Sequence, residues 1–340
     1  MSFIKFVFRR IVTIIPTLLV ILVITFFMTR LLPGDPAMMR MPIRFTWADY
    51  LRERKRLGLD EPVFVQFILF MGDMLSGNWG NSLTVARDWP VWFLINQKLP
   101  RSLEIMFISM AIAIFFGLKL GKFSGAHKNT KRDGITRIFT YLFVSVPAFI
   151  IISYLMQLYI ISPLKLLPMF GYKTLGYPEP PSITNFRILD CLLSGQIYLL
   201  VDYLWHLIIP ISALTIVQLV AISRQMRASM ISELEEDYIR TAYAKGVKKK
   251  HILKKHAFKN SVTPVIVLSG MGFSVVLGGM IAAEVIYQLP GMGKLFYDAI
   301  RSSDYNIIIA SVWVFSIVVI IFNFLIDIII AAIDPRIRLK

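Results

Sequence analysis

The sequence predicts an all-α polytopic membrane protein with six transmembrane helices. Of its 340 residues, 56% are apolar and only 17% are charged, and the mean hydropathy is +0.65. A soluble chain of this length would carry more charge, and a disordered chain would contain far fewer apolar residues. Six separate stretches approach the roughly 20 apolar residues that a helix needs to cross a bilayer.

The first apolar stretch follows a short basic N-terminus. Residues 1–10 contain Lys5, Arg9 and Arg10, and residues 11–32 are apolar. A signal peptide has a similar order of features, but this apolar run is longer than a signal core and no small-x-small cleavage pattern follows it. We therefore expect residues 1–10 to be cytoplasmic and residues 11–32 to be retained as transmembrane helix 1.

A long polar segment separates the first two predicted transmembrane helices. Residues 33–101 are basic, but long loops are translocated largely regardless of their charge. We therefore predict an extracytoplasmic insertion between helices 1 and 2. Its tryptophans predict either an extracytoplasmic cap or an interfacial aromatic belt. They are Trp47, Trp79, Trp89 and Trp92.

Residues 102–333 contain the other five predicted transmembrane helices, and residues 334–340 form a short tail. The predicted helices, each a nearly continuous apolar run, are 102–121, 138–162, 204–222, 262–289 and 307–333. Residues 197–204 are also apolar. They predict either an interfacial helix or an extension of the fourth transmembrane helix.

Lys and Arg are distributed unevenly between the connections. Ten of them lie within residues 224–260 and six within residues 119–137, whereas the connections at 163–203 and 290–306 contain few. Because cytoplasmic connections of membrane proteins are enriched in Lys and Arg, both termini are predicted to be cytoplasmic, in a multi-pass cell-membrane protein. This topology explains the net charge of +16 without a nucleic-acid partner, and no aromatic and basic recognition module is present.

The predicted cytoplasmic connection 224–260 is the most informative part of the sequence. It predicts a helical hairpin, with a first helix of good helix formers, a reversal at Gly246 and a second short helix over residues 248–259. A basic amphipathic segment on anionic lipid has this composition. A protein-docking element is the other interpretation, because the small residues Thr241, Ala242 and Ala244 let a partner approach the backbone.

Two acidic residues fall inside predicted transmembrane helices. Glu284 and Asp327 predict either sites on a transport pathway or polar contacts to a neighbouring helix. The helix that contains Glu284 also carries several glycines, which predict close helix packing. These glycines are Gly270, Gly272, Gly278 and Gly279.

No catalytic, nucleotide or metal motif is recognisable. GMGK at residues 291–294 is not a phosphate-binding loop, since Gln288 stands where glycine is required and Leu295 where Ser or Thr is required. No GxSxG, HExxH or CxxC pattern occurs, and Cys191 is the single cysteine. We therefore expect no catalytic residue, metal or cofactor on this chain.

Several segments resemble the ABC importer permeases of the oligopeptide and dipeptide type. EDYIRTAYAKGVKKKHILKKHAFKNSVTPV at residues 236–265 is similar to the ATPase-docking loop of that family. Two positions depart from the family pattern: RTA at residues 240–242 replaces Glu-Ala-Ala, and Asn78 replaces Asp. The other similar segments are LLPGDPA (31–37), LGLDEPVFVQF (57–67), GNWGNS (77–82), LPRSLE (99–104), HLIIPISAL (206–214), AEVIYQLPGMGKL (283–295) and DPRIR (334–338).

The resemblance implies a permease subunit with the type I ABC importer fold that forms half of a pathway for peptides or a related small solute. The implied partners are a homologous second permease, two cytoplasmic ATPases that bind ATP and Mg, an extracytoplasmic solute-binding protein and membrane lipid. The alternative is a self-sufficient secondary transporter that couples to protons through Glu284 or Asp327. The implied ATPase-coupling residues are Glu236, Asp237, Tyr238, Arg240, Thr241, Ala242, Ala244 and Gly246.

Overall fold

The computed structural model is helical throughout its regular secondary structure, apart from an isolated β-bridge between Asn81 and Pro90. It describes residues 3–31, 35, 37–38, 41, 44–56, 58–144, 146–147, 149–151, 153–154, 157, 167–168 and 170–333. In chain order the helices are α1 (Phe3–Leu31), α2 (Trp47–Arg56), α3 (Val63–Ser76), α4 (Val91–Ala126), α5 (Lys131–Val144), α6 (Arg187–Leu193), α7 (Ile197–Glu235), α8 (Asp237–Ala244), α9 (Lys249–Tyr287), α10 (Met292–Arg301) and α11 (Tyr305–Ile333).

Within the described ranges, five helices are long and apolar enough to cross a membrane: α1, α4, α7, α9 and α11. They correspond to five of the six predicted transmembrane helices. The remaining prediction, residues 138–162, falls partly outside the described residues and stays a prediction. The tail at residues 334–340 lies wholly outside them.

The long helices extend beyond the predicted apolar runs. Helix α4 begins at Val91, directly after Pro90, rather than at residue 102, because proline is tolerated at the start of a helix. Helix α7 begins at Ile197, so residues 197–204 are an extension of that helix. The predicted second short helix at residues 248–259 is instead the first part of α9, since no proline or glycine interrupts the chain there.

Helices α4 and α7 approach each other closely along a row of glycines. A Cβ atom at Gly121 would lie 2.4 Å from the backbone oxygen of Ser223 and 2.5 Å from Cβ of Met226. Gly117 and Gly125 lie one turn to either side and face α7 in the same way. Residues with no side chain at this spacing let two helix backbones pack directly together.

The glycines of α9 confirm close packing at three of the four predicted positions, with a Cβ atom at Gly279 lying 3.1 Å from Leu214 of α7. A Cβ atom at Gly270 would lie 2.9 Å from Ile326 of α11, and one at Gly272 would lie 2.6 Å from Oε1 of Gln218 in α7. Gly278 has open space around it instead. Helix α9 therefore packs against both α7 and α11.

Two apolar clusters stabilise the described bundle. The larger one joins α4, α7, α9, α10 and α11. The smaller one lies where α8 meets the ends of α7 and α9, and we call this region the α8 end of the bundle. Its fully or nearly fully buried side chains are Ala113, Ile222, Met226, Met230, Ile239, Ala242, Ile252, Ala257 and Val265. The opposite end of α9, where the chain turns into α10, is called the α10 end.

Candidate functional site

Helix α8 is a separate short element between two long helices. Helix α7 ends at Glu235, and Glu236 then adopts an extended conformation with φ −69° and ψ 146°. The helix resumes at Asp237, whose negative charge in the first turn suits the positive end of the helix dipole. Glu236 thus changes the direction of the chain, and α8 is set apart from the axis of α7.

One face of α8 is buried and the other is exposed. Ile239 and Ala242, three residues apart, are 0% and 9% exposed and pack in the smaller apolar cluster. Spacing of three residues places two side chains on the same side of a helix. Tyr238 and Tyr243 remain 39% and 45% exposed. The solvent-facing side of α8 therefore presents aromatic rings together with polar groups.

The structure brings all eight predicted coupling residues into this one turn and helix. It places Ala242 on the buried face, where the side chain packs under the helix rather than towards solvent. The other seven are exposed: Glu236, Asp237, Tyr238, Arg240, Thr241, Ala244 and Gly246.

Tyr238 links α8 to both neighbouring helices. Its hydroxyl donates a hydrogen bond to the carboxylate of Glu233 in α7. The amide nitrogen of Asn260 in α9 donates to the Tyr238 hydroxyl oxygen over 2.9 Å. Partial burial and the adjacent Glu233 raise the pKa of Tyr238, so the phenol stays protonated at neutral pH. A displacement of α8 would therefore be transmitted to α7 and α9 together.

Gly246 ends α8 in the manner that its sequence context predicts. Its φ angle is +75°, a conformation that glycine adopts without steric cost. The N–H of Gly246 donates to the carbonyl of Tyr243 over 2.9 Å, and the N–H of Val247 donates to Ala242 over 3.1 Å. This pair of bonds is a Schellman motif. Among the described residues, no neighbouring atom lies within 4 Å of where a Cβ at Gly246 would be, so the space beside it is open.

A buried carboxylate braces the α8 end, and sequence reasoning missed it. Asp133, at the start of α5, is fully buried and accepts two hydrogen bonds from the guanidinium of Arg227 in α7, at 2.7 and 2.8 Å. Ser124 Oγ and the N–H of Asn129 also donate to it, at 2.5 and 3.1 Å. These hydrogen bonds, chiefly from Arg227, hold the pKa of Asp133 well below its usual range.

A sequence signal for Asp133 exists. It is the one acidic residue between Lys119 and Arg137, a connection otherwise rich in Lys and Arg. The exposed pair of Lys128 and Glu235, with 2.6 Å between Nζ and Oε1, joins the same connection to the end of α7. Both contacts therefore tie the connection after α4 to the last turns of α7.

At the α10 end, Glu284 holds the turn between α9 and α10. Its side chain is fully buried and accepts a hydrogen bond of 2.5 Å from Ser102 Oγ in α4. The backbone N–H groups of Gly293 and Lys294, in the first turn of α10, donate to the same carboxylate at 2.7 and 3.0 Å. The side chain thus caps the N-terminus of α10 and joins three helices.

Asp304 accepts hydrogen bonds from a loop of the predicted insertion. It is fully buried between α10 and α11 and accepts a hydrogen bond of 2.6 Å from Ser82 Oγ. The consecutive N–H groups of residues 83, 84 and 85 donate to one of its oxygens at 2.8, 2.9 and 3.2 Å. The loop that follows GNWGNS is therefore fixed to the end of the bundle by a residue more than two hundred positions away.

The other acidic residue in a predicted transmembrane helix, Asp327, forms an ion pair with Arg10 of α1. Glu284 and Asp327 lie on different helices and make different contacts, so the structure does not bring them together. Within the described residues, no group of three or more His, Cys, Asp or Glu side chains is placed to hold a metal ion.

Two family profiles match the sequence and together cover most of it. Residues 113–339 match the binding-protein-dependent transport system inner membrane component. Residues 3–105 match the N-terminal part of a binding-protein-dependent transport system membrane component.

Individual proteins are similar over nearly their whole length. A di/tripeptide transport system permease protein of Pseudomonas aeruginosa is 33% identical, with 98% of each chain covered. An oligopeptide transport system permease protein of Bacillus subtilis is 32% identical, covering 98% of this chain and 99% of its own. A glutathione transport system permease protein of Pectobacterium atrosepticum is 33% identical, with 98% of each chain covered.

Proposed function

Because the chain belongs to the family of binding-protein-dependent transport system inner membrane components, we propose that it forms half of the translocation pathway of an ATP-driven importer. The other half comes from a homologous permease. Two cytoplasmic ATPases bind ATP and Mg, and an extracytoplasmic binding protein delivers the solute. The proposed solute is a peptide, because similar permeases belong to systems for di- and tripeptides and for oligopeptides.

The exposed face of α8 carries this proposal. Ile239 and Ala242 pack α8 against the smaller apolar cluster. The opposite face of α8 is exposed to solvent among the described residues. Tyr238 connects it to α7 and α9, two of the helices that are long enough to cross a membrane. An ATPase seated on α8 would move both helices as one rigid unit, and ATP would shift the bundle between two states only by favouring one of them.

The proposed topology places the α8 end in the cytoplasm and the α10 end outside. Six transmembrane helices, including the partly described one at residues 138–162, then leave both termini cytoplasmic. Basic residues concentrate at the α8 end, as cytoplasmic connections require. The loop held by Asp304 belongs to the extracytoplasmic insertion in this topology.

Substitution of Gly246 tests the docking role. In the reconstituted importer, Gly246→Asp is expected to abolish peptide uptake and to uncouple ATP hydrolysis from transport, with membrane insertion intact. Aspartate adds a charge to an open space where a partner would sit, at φ +75°. Gly195→Asp is the matched control, since Gly195 has φ +69° and equally open surroundings but lies between α6 and α7 at the opposite end.

Equal uptake by wild type and Gly246→Asp would contradict docking at α8. Gradient-driven uptake by the purified chain alone would support a proton-coupled secondary transporter instead. Ser102 and two backbone N–H groups engage the oxygens of Glu284, and Arg10 pairs with Asp327, so both candidate carboxylates of that alternative have structural partners.

A further inference from the structure

Helix α3, in the predicted insertion, is apolar on all of its sides. Of its 14 residues, Val63–Ser76, only Gln66, Asp73 and Ser76 have polar side chains, and none is basic. A helix on the surface of a soluble domain has one polar face, whereas a helix that is apolar all round is surrounded by apolar material. We therefore expect α3 to have an apolar neighbour on each of its faces.

One face of α3 packs against the rest of the protein. Met74 is buried in the larger apolar cluster, and Phe70 and Met71 pack against that cluster. The ring centroids of Phe67 and Phe70 lie 5.3 and 5.5 Å from that of Phe26 in α1. The protein itself is therefore the apolar neighbour of this face.

The opposite face of α3 exposes a stripe of large apolar side chains. Residues four apart lie on the same side of a helix, and this spacing relates Phe64 to Ile68 and Val65 to Leu69. Leu75 continues the first of these two rows towards the end of the helix. All five side chains are exposed. A contiguous apolar surface of this kind marks an interaction site.

The polar side chains of α3 add no hydrogen-bonding group to this stripe. Nε2 of Gln66 donates to two backbone carbonyls just before the helix, at 3.1 and 2.6 Å. The carboxylate of Asp73 accepts from the Asn78 amide at 3.2 Å, and Oγ of Ser76 donates to the backbone carbonyl of Asp73 at 3.2 Å. Interfaces between separate proteins contain polar groups as well as apolar ones. A purely apolar stripe is better suited to lipid.

The contact with Phe26 places α3 at the edge of the membrane. The part of α1 that is apolar enough to cross a bilayer is Val7–Phe27, so Phe26 lies in its last turn. Trp79, three residues after α3, contacts the exposed ring of Trp92, with 5.3 Å between centroids. Exposed tryptophans are enriched where a membrane meets water. Helix α3 therefore lies level with the membrane surface rather than far outside it.

We propose that α3 is an interfacial helix whose exposed stripe is embedded in the lipid leaflet on the side of the α10 end. At 1.5 Å per residue α3 is about 21 Å long, which is shorter than the roughly 30 Å hydrocarbon core, so it lies along the membrane and does not cross it. The apolar face of such a helix is buried about 5–10 Å into the leaflet. This membrane contact fixes the insertion beside α1 and does not depend on the proposed import function.

Nitroxide spin labels test the environment of the stripe. Labels are placed at Phe64→Cys, Ile68→Cys and Leu69→Cys, one at a time, in the complex purified through this chain and reconstituted into phosphatidylcholine vesicles. Electron paramagnetic resonance then measures collisions with oxygen, which concentrates in lipid, and with a water-soluble nickel chelate. The ratio of oxygen to nickel collisions is expected to be several-fold higher at all three labels than at a label in water.

Ile183→Cys supplies the matched label in water. Ile183 is 60% exposed and Ile68 is 47% exposed, but Ile183 lies in an irregular segment between Ser182 and Thr184. The native cysteine, Cys191, is buried, so the parent chain measures the background labelling.

A charged substitution gives a second readout. Ile68→Asp in the Leu69→Cys background is expected to lower the oxygen-to-nickel ratio at the label, because a carboxylate is costly to hold in lipid and draws the helix towards water. Ile183→Asp in the same background is expected to leave the ratio unchanged. The three single labels decide the proposal if Ile68→Asp does not assemble.

Three results would overturn the interfacial helix. Few collisions with either reagent at the three labels would assign the stripe to a protein neighbour, such as the second permease. A ratio equal to that at Ile183→Cys would place the stripe in water, and nickel collisions that fall when the binding protein is added would assign it to that protein. Lipid exposure without peptide uptake would support the interfacial helix while the proposed function fails, and uptake without lipid exposure would do the reverse.

Discussion

The two ends of α9 hold their buried carboxylates in different ways. At the α10 end, backbone N–H groups donate to Glu284 and Asp304, so each carboxylate fixes the path of a loop. At the α8 end, the guanidinium of Arg227 donates two hydrogen bonds to Asp133 and the N–H of Asn129 donates one, so this carboxylate chiefly joins two helices. The buried carboxylates of the α10 end therefore bind mainly backbone N–H groups, whereas that of the α8 end is held mainly by an arginine side chain.

Helix α8 has fewer buried side chains than α10, the short helix at the other end of α9. Asp133 makes its hydrogen bonds to α7 and to the connection after α4, and only Ile239 and Ala242 of α8 are buried. The comparison predicts that substitutions at the α10 end chiefly affect folding, while substitutions on the outer face of α8 affect coupling with little cost in stability.

The largest effect on stability is expected for Asp304→Ala. This change leaves the N–H groups of residues 83–85 and the Ser82 hydroxyl without their acceptor, and we expect a loss of about 3 kcal/mol or more. Thermal unfolding of the purified chain in detergent measures it. Asp304→Asn, which keeps one acceptor oxygen, is expected to give a smaller loss. A melting temperature unchanged in the alanine variant would contradict the clamp.

Asp133→Asn is expected to cause the second largest loss of unfolding free energy. It leaves Arg227 without its charged partner, but Arg227 is 23% exposed and water can compensate in part. We expect a loss of about 2 kcal/mol, less than for a fully buried pair. The same unfolding assay measures it. A loss equal to that of Asp304→Ala would remove the distinction between the two ends.

Acidification is expected to weaken the contacts of Glu179 with Lys173, Tyr172 and Arg187. Burial raises the pKa of this carboxyl, but hydrogen bonds from Lys173 and Tyr172 and the charge of Arg187 outweigh it and lower the pKa to about 2. A lowered pKa stabilises the fold above the unfolded value of about 4.5, and this stabilisation is lost as the pH falls towards 2.

Melting temperatures measured between pH 6 and pH 3 test this dependence. Wild type is expected to lose more stability on acidification than Glu179→Gln, which has no carboxyl to protonate. Parallel pH profiles for the two proteins would show that the Glu179 contacts contribute nothing.

The smallest effect is expected for Lys128→Met. Its ion pair with Glu235 is exposed on both sides, at 46% and 63%, and such surface pairs contribute little. No measurable change in melting temperature is expected. A loss of stability as large as that of Asp133→Asn would show that burial does not explain the larger contribution of the Asp133–Arg227 ion pair.

The helical class and the five long helices of the described ranges could be predicted from the sequence, while the coupling role of residues 236–246 stays a prediction. These depend on local signals, namely apolar run length, helix propensity and the glycine at residue 246. The family resemblance, now shown by the matching profiles, rests on short segments that are also local.

The partners of Asp133 and Asp304 could not be predicted from the sequence, although Asp133 itself stands out as the one acidic residue of a basic connection. Asp304 binds backbone N–H groups, which every residue has, so no side-chain pattern marks its partners at residues 83–85. Arg227 is one of many basic residues near the α8 end, and its choice of Asp133 depends on how α5 and α7 pack. Helix ends were also misplaced, because α4 and α7 continue past their apolar runs.

The unbroken course of α9 has a geometric consequence. Its 39 residues include a π-helical turn at Ile252–Ala257 and Pro264, and at 1.5 Å per residue they form a rod at most about 58 Å long. One tip touches the α8 surface and the other carries Glu284 and the turn into α10. If the rod pivots near one tip, a tilt of about 5° carries the other through about 5 Å, roughly the pitch of one helical turn. Small angular changes at one membrane face are thereby amplified into ångström-scale displacement at the other.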